Sequence, residues 1–419
     1  MKNKDNKVLL SVRNLCQYFK LGRNDLKAVD DISFEVYKGE VFSLVGESGC
    51  GKTTTGRSII KIYNITSGDI YFKGVRIGAG IRSYQDEIKK LRTQIIDAVM
   101  SLNKDTTEEE KEAIKKLRKD NNKRIKELKY QIKRAKHDQK HCDRDYARLL
   151  VEETKEKYEE ILSKEEDLEK IAEIRKNYRR DLRLARKSRI VTSIQMIFQD
   201  PIGSLNPRMT VKEIVGEGLI IRGIRDKKYI EKRVHEVLEM VGLVKEHATR
   251  YPHEFSGGQR QRIGIARSII MEPEMLIADE PVSALDVSVQ AQVINLLNSL
   301  REKLGLTILF IAHDLSVVKY FSDRVAVMYF GKIVELASSD ELFKNPLHPY
   351  TKSLLSAIPL PDPDYEKHRV RFEYNPIVEH DYQSGDLPSM REIKPGHFVY
   401  CNNKEEARYK KQLKTDEGK

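Results

Sequence analysis

Apolar positions fall into two textures along this chain. Over residues 7–78, and again from Ile194 onward, they form short runs or alternations bounded by turn residues. Val8–Val12 and Ile32–Val36 read as strands, Lys38-Gly39-Glu40 as a turn, and Val41–Val45 as a fully buried strand. A helical stretch from Lys52 to Ile62 follows, and Gly68–Gly74 reads as one further strand with a turn at each end. Farther on, Ile194–Phe198, Met275–Ala278 and Thr307–Ala312 are short apolar runs of the buried parallel kind. Helical patterning occupies 210–250 up to the Tyr251-Pro252 break, then Ser256 to Met271, then Val287–Leu304. Residues 325–360 add more strand and helix, and from Pro361 the pattern is polar and irregular.

Residues 81–190 differ. They hold no Gly and no Pro, and half of them are charged, a composition that favours long helices. Ile114, Leu117, Asn121, Ile125, Leu128, Ile132, Ala135, Gln139, Cys142, Tyr146 and Leu149 recur at steps of three and four, a near-heptad stripe interrupted by Asn121 and Gln139. Thr107-x-x-Glu110 and Ser163-x-x-Glu166 fit capping boxes. The pattern predicts a helix ending near Met100, a long one from Thr107 to Ile161 and a third from Ser163 to Lys187, packed as an antiparallel coiled coil.

Composition narrows the classes. Charged residues are 33% of the 419, and no apolar run approaches a membrane span. The first seven residues are polar and lack the apolar segment of a signal peptide, which reads as a cytosolic protein. Cys16, Cys50, Cys142 and Cys401 are scattered without a C-x-x-C pair, so neither a disulfide framework nor a zinc site is expected. Of the net charge of +12, residues 81–190 carry +8, from 32 Lys/Arg against 24 Asp/Glu, so a nucleic-acid reading would rest mainly on that segment.

The chemistry begins at Gly46-Glu47-Ser48-Gly49-Cys50-Gly51-Lys52-Thr53, which fits the phosphate-binding loop G-x-x-x-x-G-K-[ST] between a buried strand and a helix. Its glycines let backbone N–H groups point at phosphate oxygens, and the helix N-terminus adds a favourable dipole. Lys52 can reach the β- and γ-phosphates and the Thr53 hydroxyl can ligate Mg2+. Cys50 inside the loop reads as a small tolerated side chain more readily than as an oxidation-sensitive one. Other pieces are weak alone. Met275–Ala278 ending in Asp279-Glu280 could be a strand running into a polar loop. Ser256-Gly257-Gly258-Gln259 could be an ordinary capped helix start. Gln199, His313 and Ser283-Ala284-Leu285-Asp286 could be surface features.

In this order the pieces resemble the ATP-binding-cassette family, over residues 8–78 and 193–360. The resemblance implies an α/β fold: a P-loop (RecA-like) nucleotide-binding domain with antiparallel β and helical subdomains, here with a long α-helical insertion. It implies that Gly46, Glu47, Ser48, Gly49, Cys50, Gly51, Lys52, Thr53 and Thr54 bind the nucleotide. It assigns Thr53, Gln199 and Asp279 to Mg2+, Glu280 as general base, His313 to the γ-phosphate, and Asp286 to bridging a cassette dimer. Ser256, Gly257, Gly258 and Gln259 would clamp the partner's ATP. Phe19 would stack on adenine, with Tyr18 as competitor.

Finer matches resemble the oligopeptide and dipeptide importer ATPases, nearest their F-type branch. These are Phe198-Gln199-Asp200-Pro201 with Ser204–Thr210, Tyr251–Arg262, Val327-Met328-Tyr329, His348-Pro349-Tyr350-Thr351 with Ala357-Ile358-Pro359, and Gly385–Ser389. The implied activity is ATP hydrolysis coupled to peptide uptake at the cytoplasmic face of a bacterial membrane. The implied partners are a D-type ATPase, two permeases met by residues 200–250, and an extracytoplasmic peptide-binding protein. Many relatives carry a cysteine-rich tail that holds an iron–sulfur cluster; with Cys401 alone in this tail, no cluster is expected. The expected divisions are 1–78 and 191–330 as the cassette core, 79–190 as the helical insert, and 331–419 as the peptide-transporter extension. The insert reads as a solvated appendage, against a docking arm for a partner or membrane surface, or a nucleic-acid arm. That last option supports the alternative function, a DNA-repair, chromosome or translation-associated ATPase.

Overall fold

The computed structural model describes residues 7–22, 24–102, 107–200, 203–283, 285–358, 372–380 and 385–416. Pro201, Ala284, Pro359 and most of the N-terminal segment before Val8, all used in the sequence reading, lie outside them. The chain forms two compact units, one from Met1–Leu9, Glu35–Ile60 and Val191–Lys419, the other from Leu10–Phe34 and Lys61–Ile190.

The first unit is built on an eight-stranded sheet. In sequence, β1 is Val8–Leu21, β2 Asn24–Tyr37, β3 Val41–Val45, β4 Ser67–Phe72, β5 Val75–Ala79 and β6 Ile194–Ile197. Then come β7 Met275–Asp279, β8 Thr307–Ala312, β9 Arg324–Tyr329, β10 Lys332–Ser338, β11 Ser389–Lys394 and β12 His397–Cys401. The sheet order is β11-β12-β10-β9-β3-β8-β7-β6. β9, β3, β8, β7 and β6 are parallel neighbours, in register at Val45 with Ala312 and Val327, Asp279 with Ile311, and Ile197 with Ala278. Every residue of β3, β7 and β8 is buried, which explains their near-continuous apolar sequences. The strands β11 and β12 and the helix Asn403–Asp416 occupy a region whose sequence reads as irregular. Their short length hides the alternation; within β12, His397, Val399 and Cys401 are buried in turn.

The helix α1, Lys52–Ile59, belongs to the first unit; the second holds a four-stranded sheet, β2-β1-β4-β5, and three long helices: α2 Arg82–Met100, α3 Glu108–Ser163 and α4 Leu168–Lys187. The strand expected over 68–74 is β4, and past its turn at Lys73-Gly74 a further strand, β5, absent from the sequence reading, completes a hairpin. At 56 residues, α3 is roughly 84 Å long. Its capping box at Thr107 and Glu110 is formed. The one expected at Ser163 is not. The Ser163 hydroxyl donates back to the Glu160 carbonyl at the end of α3, and Asp167 caps α4 instead by accepting from Glu169 N–H. Four residues, Lys164 to Asp167, are consumed in reversing the chain between two antiparallel helices.

The two neighbours of α3 take different halves of it. Ile88 on α2 packs with Ile125 and Leu128, while Tyr158 donates to Asp181 at 2.6 Å and meets Tyr178 on α4. Leu117, expected in the stripe, is 39% exposed. Both polar interruptions have a reason. Asn121 donates to the Gln94 side chain and the Leu91 carbonyl on α2, and Gln139 donates to the Ala79 carbonyl at the end of β5. The middle of α3 rests on the hairpin: Tyr146 is fully buried against Phe72, Asp138 pairs with Arg76, and Glu153 pairs with Lys73. The insert is thus docked on its own sheet rather than merely solvated. Tyr146→Ala, which empties a fully buried aromatic site, is expected to cost about 3–5 kcal/mol, read as a lower denaturant midpoint for this unit.

Candidate active site

Parallel strands end on the same side of a sheet, and the topology gathers four such ends here. The loop 46–53 leaves β3, Asp279-Glu280 ends β7, His313 follows β8, and Gln199 lies two residues past β6.

Gly46 sits at φ 150°, and a Cβ there would lie 2.2 Å from the Met328 carbonyl oxygen, so only glycine fits where the loop leaves the sheet. Lys52 is buried, and its ammonium donates to the carbonyls of Gly46 and Glu47, each at 2.8 Å. Burial pushes the Cys50 thiol up, outweighing the nearby Lys52, so Cys50 is a protonated packing residue in this loop. Thr53 stands in the first turn of the helix Lys52–Ile59 and donates to Asp279 Oδ1 at 2.7 Å. The other oxygen, Oδ2, is buried and has no hydrogen-bond partner among the described residues. Burial raises the Asp279 carboxyl above its ordinary value, and Thr53, Arg57 and Lys52 pull it down only in part. A buried carboxylate oxygen without a donor, beside a threonine hydroxyl, is the donor set that a hard cation completes.

Glu280 is a non-glycine residue at φ 44°, a conformation that costs roughly 1–3 kcal/mol. Its surroundings hold it there. Its N–H donates to the Ile311 carbonyl at 2.9 Å, and its own carbonyl accepts from Ser283 N–H and the Ser283 hydroxyl. The turn aims the carboxylate at two other motif residues. Gln199 Nε2 donates to Glu280 Oε2 at 3.0 Å, and His313 Nδ1 lies 3.2 Å from the same oxygen. Glu280 is largely buried, whereas the His313 side chain is 52% exposed, so the cluster opens at its histidine. Three residues from three strand ends therefore meet on one oxygen.

Ser256 caps the helix Gly257–Ile269. Its hydroxyl accepts from Gln259 N–H and Gln259 Oε1 accepts from Ser256 N–H, so the Gln259 side-chain oxygen is engaged in capping its own helix. A Cβ on Gly258 would lie 2.6 Å from Val289, which makes that glycine a packing requirement as well. Asp286 is exposed at the start of the helix Val287–Leu304 and makes no side-chain cap. In the second unit, Phe19 meets Tyr63 edge-on at 5.2 Å. Tyr18 donates its hydroxyl to Asp30, and the Lys27 ammonium lies 5.5 Å from its ring centre.

One residue at the loop went unassigned in the sequence. Glu47 N–H donates to the hydroxyl of Tyr350 at 3.1 Å. Tyr350 stands within a quoted motif, His348–Thr351, but 303 positions from the loop, and no spacing rule links them.

The sequence matches the ABC transporter family over residues 29–149 and 146–283, and the oligopeptide/dipeptide transporter C-terminal region over 334–385. It is 47% identical to the oligopeptide transport ATP-binding protein OppF of Bacillus subtilis (strain 168), over 95% of this chain and 97% of that protein. It is 41% identical to OppF of Streptococcus mutans serotype c, over 97% of this chain and 98% of that one. The dipeptide transport ATP-binding protein DppF of Lactococcus lactis subsp. cremoris is 40% identical, over 97% of each chain. The strain at the loop gives a direct check on the geometry. Gly46→Ala is expected to lower the melting temperature of the nucleotide-free chain by at least about 2 °C, by thermal-shift measurement.

Proposed function

This chain belongs to the ABC transporter family, with the C-terminal region of the oligopeptide/dipeptide transporters, and on that premise we propose that it is the ATP-binding and ATP-hydrolysing subunit of an oligopeptide importer. The observation that carries the reading is the meeting of Gln199, Glu280 and His313 on one carboxylate oxygen, with the Thr53–Asp279 pair at the end of the same strand, β7. A catalyst of phosphoryl transfer to water needs little covalent chemistry. It needs phosphates held in place, charge neutralised, and a base on the attacking water.

The residues divide that work. Backbone N–H groups of Gly46–Thr54 cradle the phosphates, and Lys52 moves from the loop carbonyls to phosphate oxygens. Thr53 and Asp279, with Gln199 nearby, would hold Mg2+, whose charge supplies part of the neutralisation. The orphaned Asp279 Oδ2 supports that assignment. Glu280 takes the proton of the attacking water, oriented by Gln199, and His313 reaches the γ-phosphate from the open side. Phe19 stacks on adenine, with Tyr18 as its competitor. Ser256, Gly257, Gly258 and Gln259 present a capped helix N-terminus to the ATP of a partner cassette, and Asp286 bridges the pair.

The partners follow from the same reading: a D-type ATPase, two membrane permeases contacted by residues 200–250, and an extracytoplasmic peptide-binding protein. No helix among the described residues is long and apolar enough to cross a membrane, in keeping with a peripheral subunit held by permeases at the cytoplasmic face. On this reading the cassette core is 1–78 and 191–330, with 79–190 as its insert and 331–419 as the extension, a division by relationship that differs from the two compact units, where 10–34 and 61–78 group with the insert. A repair, chromosome or translation ATPase is not favoured, since the relatives that match nearly the whole chain are peptide-transport proteins.

Two substitutions test this in the purified complex with peptide. Glu280→Gln is expected to lower turnover at this chain's site by about 10²–10⁴-fold while ATP still binds. Asp279→Asn is expected to raise the Mg2+ concentration for half-maximal hydrolysis by at least about tenfold. Undiminished hydrolysis in Glu280→Gln, measured with the partner ATPase's own site inactivated, would sink the proposal.

A further inference from the structure

The buried polar groups of the C-terminal extension are not used by the chemistry above, yet one of them touches the phosphate loop. Glu47 is held at both of its backbone groups: its N–H donates to the Tyr350 hydroxyl at 3.1 Å, and its carbonyl accepts from Lys52 at 2.8 Å. When nucleotide draws Lys52 away, Glu47 keeps the Cys50 N–H on its carbonyl, a contact within the loop, and the Tyr350 hydroxyl on its N–H, the contact that ties it to the extension.

Tyr350 is well placed to hold a loop still. It is 2% exposed, with Tyr329 at 4.4 Å and Tyr374 at 5.5 Å between ring centres. It lies in the first turn of the helix Pro349–Ser356, and that turn is itself pinned. His348 Nδ1 accepts from Tyr350 N–H at 3.1 Å. Burial, reinforced by His380, Lys352 and Arg408, pushes the His348 pKa down to about 3, so its ring stays neutral and Nδ1 stays an acceptor. The N–H groups of Leu347 and His348 donate to the buried carboxylate of Glu335 at 2.8 and 3.0 Å, and His397 Nε2 lies 2.8 Å from that carboxylate. The hydroxyl therefore reaches Glu47 from a frame with few free torsions.

We propose that Tyr350 is a positioning residue for ATP: its hydroxyl fixes the opening turn of the phosphate loop, so the phosphates meet a cradle ordered in advance. Glycine-rich segments lose more conformational freedom on ordering than other sequence, and Gly46, Gly49 and Gly51 all sit at positive φ. A contact that orders such a loop before the ligand arrives raises affinity more than it raises the chemical rate. The extension thus contributes to nucleotide affinity as well as to the fold.

The inference rests on the ATP-binding reading, and its test separates the two. Tyr350→Phe keeps the ring and deletes the hydroxyl; Tyr374→Phe, whose hydroxyl meets His380 and not the loop, is the control. Tyr350→Phe is expected to raise the ATP dissociation constant and KM by about three- to tenfold with kcat within about twofold. Amide hydrogen exchange across residues 46–53 of the nucleotide-free chain should quicken, and Tyr374→Phe should change neither readout. Unchanged affinity and unchanged exchange in Tyr350→Phe would overturn the proposal, as would an equal loss in both variants. Absence of ATP binding by the unsubstituted chain would instead overturn the reading beneath it. The exchange measurement needs no turnover and stands even if Tyr350→Phe lowers thermal stability.

Discussion

Everything in the site depends on the parallel register of four strands. β6, β7, β8 and β3 are in register as neighbours, with Ile197 beside Ala278, Asp279 beside Ile311 and Val45 beside Ala312. Their carboxyl ends therefore emerge together, each carrying one motif. A one-residue slip of β7 would turn Asp279 to the opposite face and part it from Thr53. Full burial of β3, β7 and β8 makes such a slip costly, so packing of the apolar core and placement of the polar site are the same constraint.

The strand ends are also where local rules are broken. Glu280 occupies a left-handed conformation, Asp279 keeps a buried oxygen without a partner, and Lys52 is buried. Each is unfavourable in isolation and would be tolerated in a fold that holds it from several sides. A magnesium nucleotide would relieve two of the three, giving Asp279 a cation and Lys52 an anion. On the proposed reading, the features that are unfavourable in the nucleotide-free chain would favour binding of that ligand.

Much of this was legible in the sequence because the motifs are local. The phosphate loop, the helix start at Ser256 and the apolar strands are each written within about a dozen residues, and β3, β8 and the helix Val287–Leu304 match their predicted spans. The three insert helices were visible from composition and period. What stayed hidden was non-local or weakly patterned. The strand β5 was missed because Val75–Ala79 is only five residues long and includes a glycine, too little for alternation to stand out. The capping box at Ser163 was misread because a hydroxyl near a helix end can serve either side. The tail strands are too short for alternation to speak. Asn121 and Gln139 look like flaws in a stripe until their acceptors on α2 and β5 are known. Tyr350 is 303 positions from its partner, a pairing that topology alone creates.

The account's central claim is that the two stretches of chain on either side of the helical insert work as one ATP-consuming engine for peptide uptake. The most direct measurement is peptide transport into membrane vesicles containing the permeases, the binding protein and the counterpart ATPase, with and without this chain. The account predicts uptake that consumes ATP and stops when this chain is left out. Undiminished uptake and hydrolysis in its absence would contradict it.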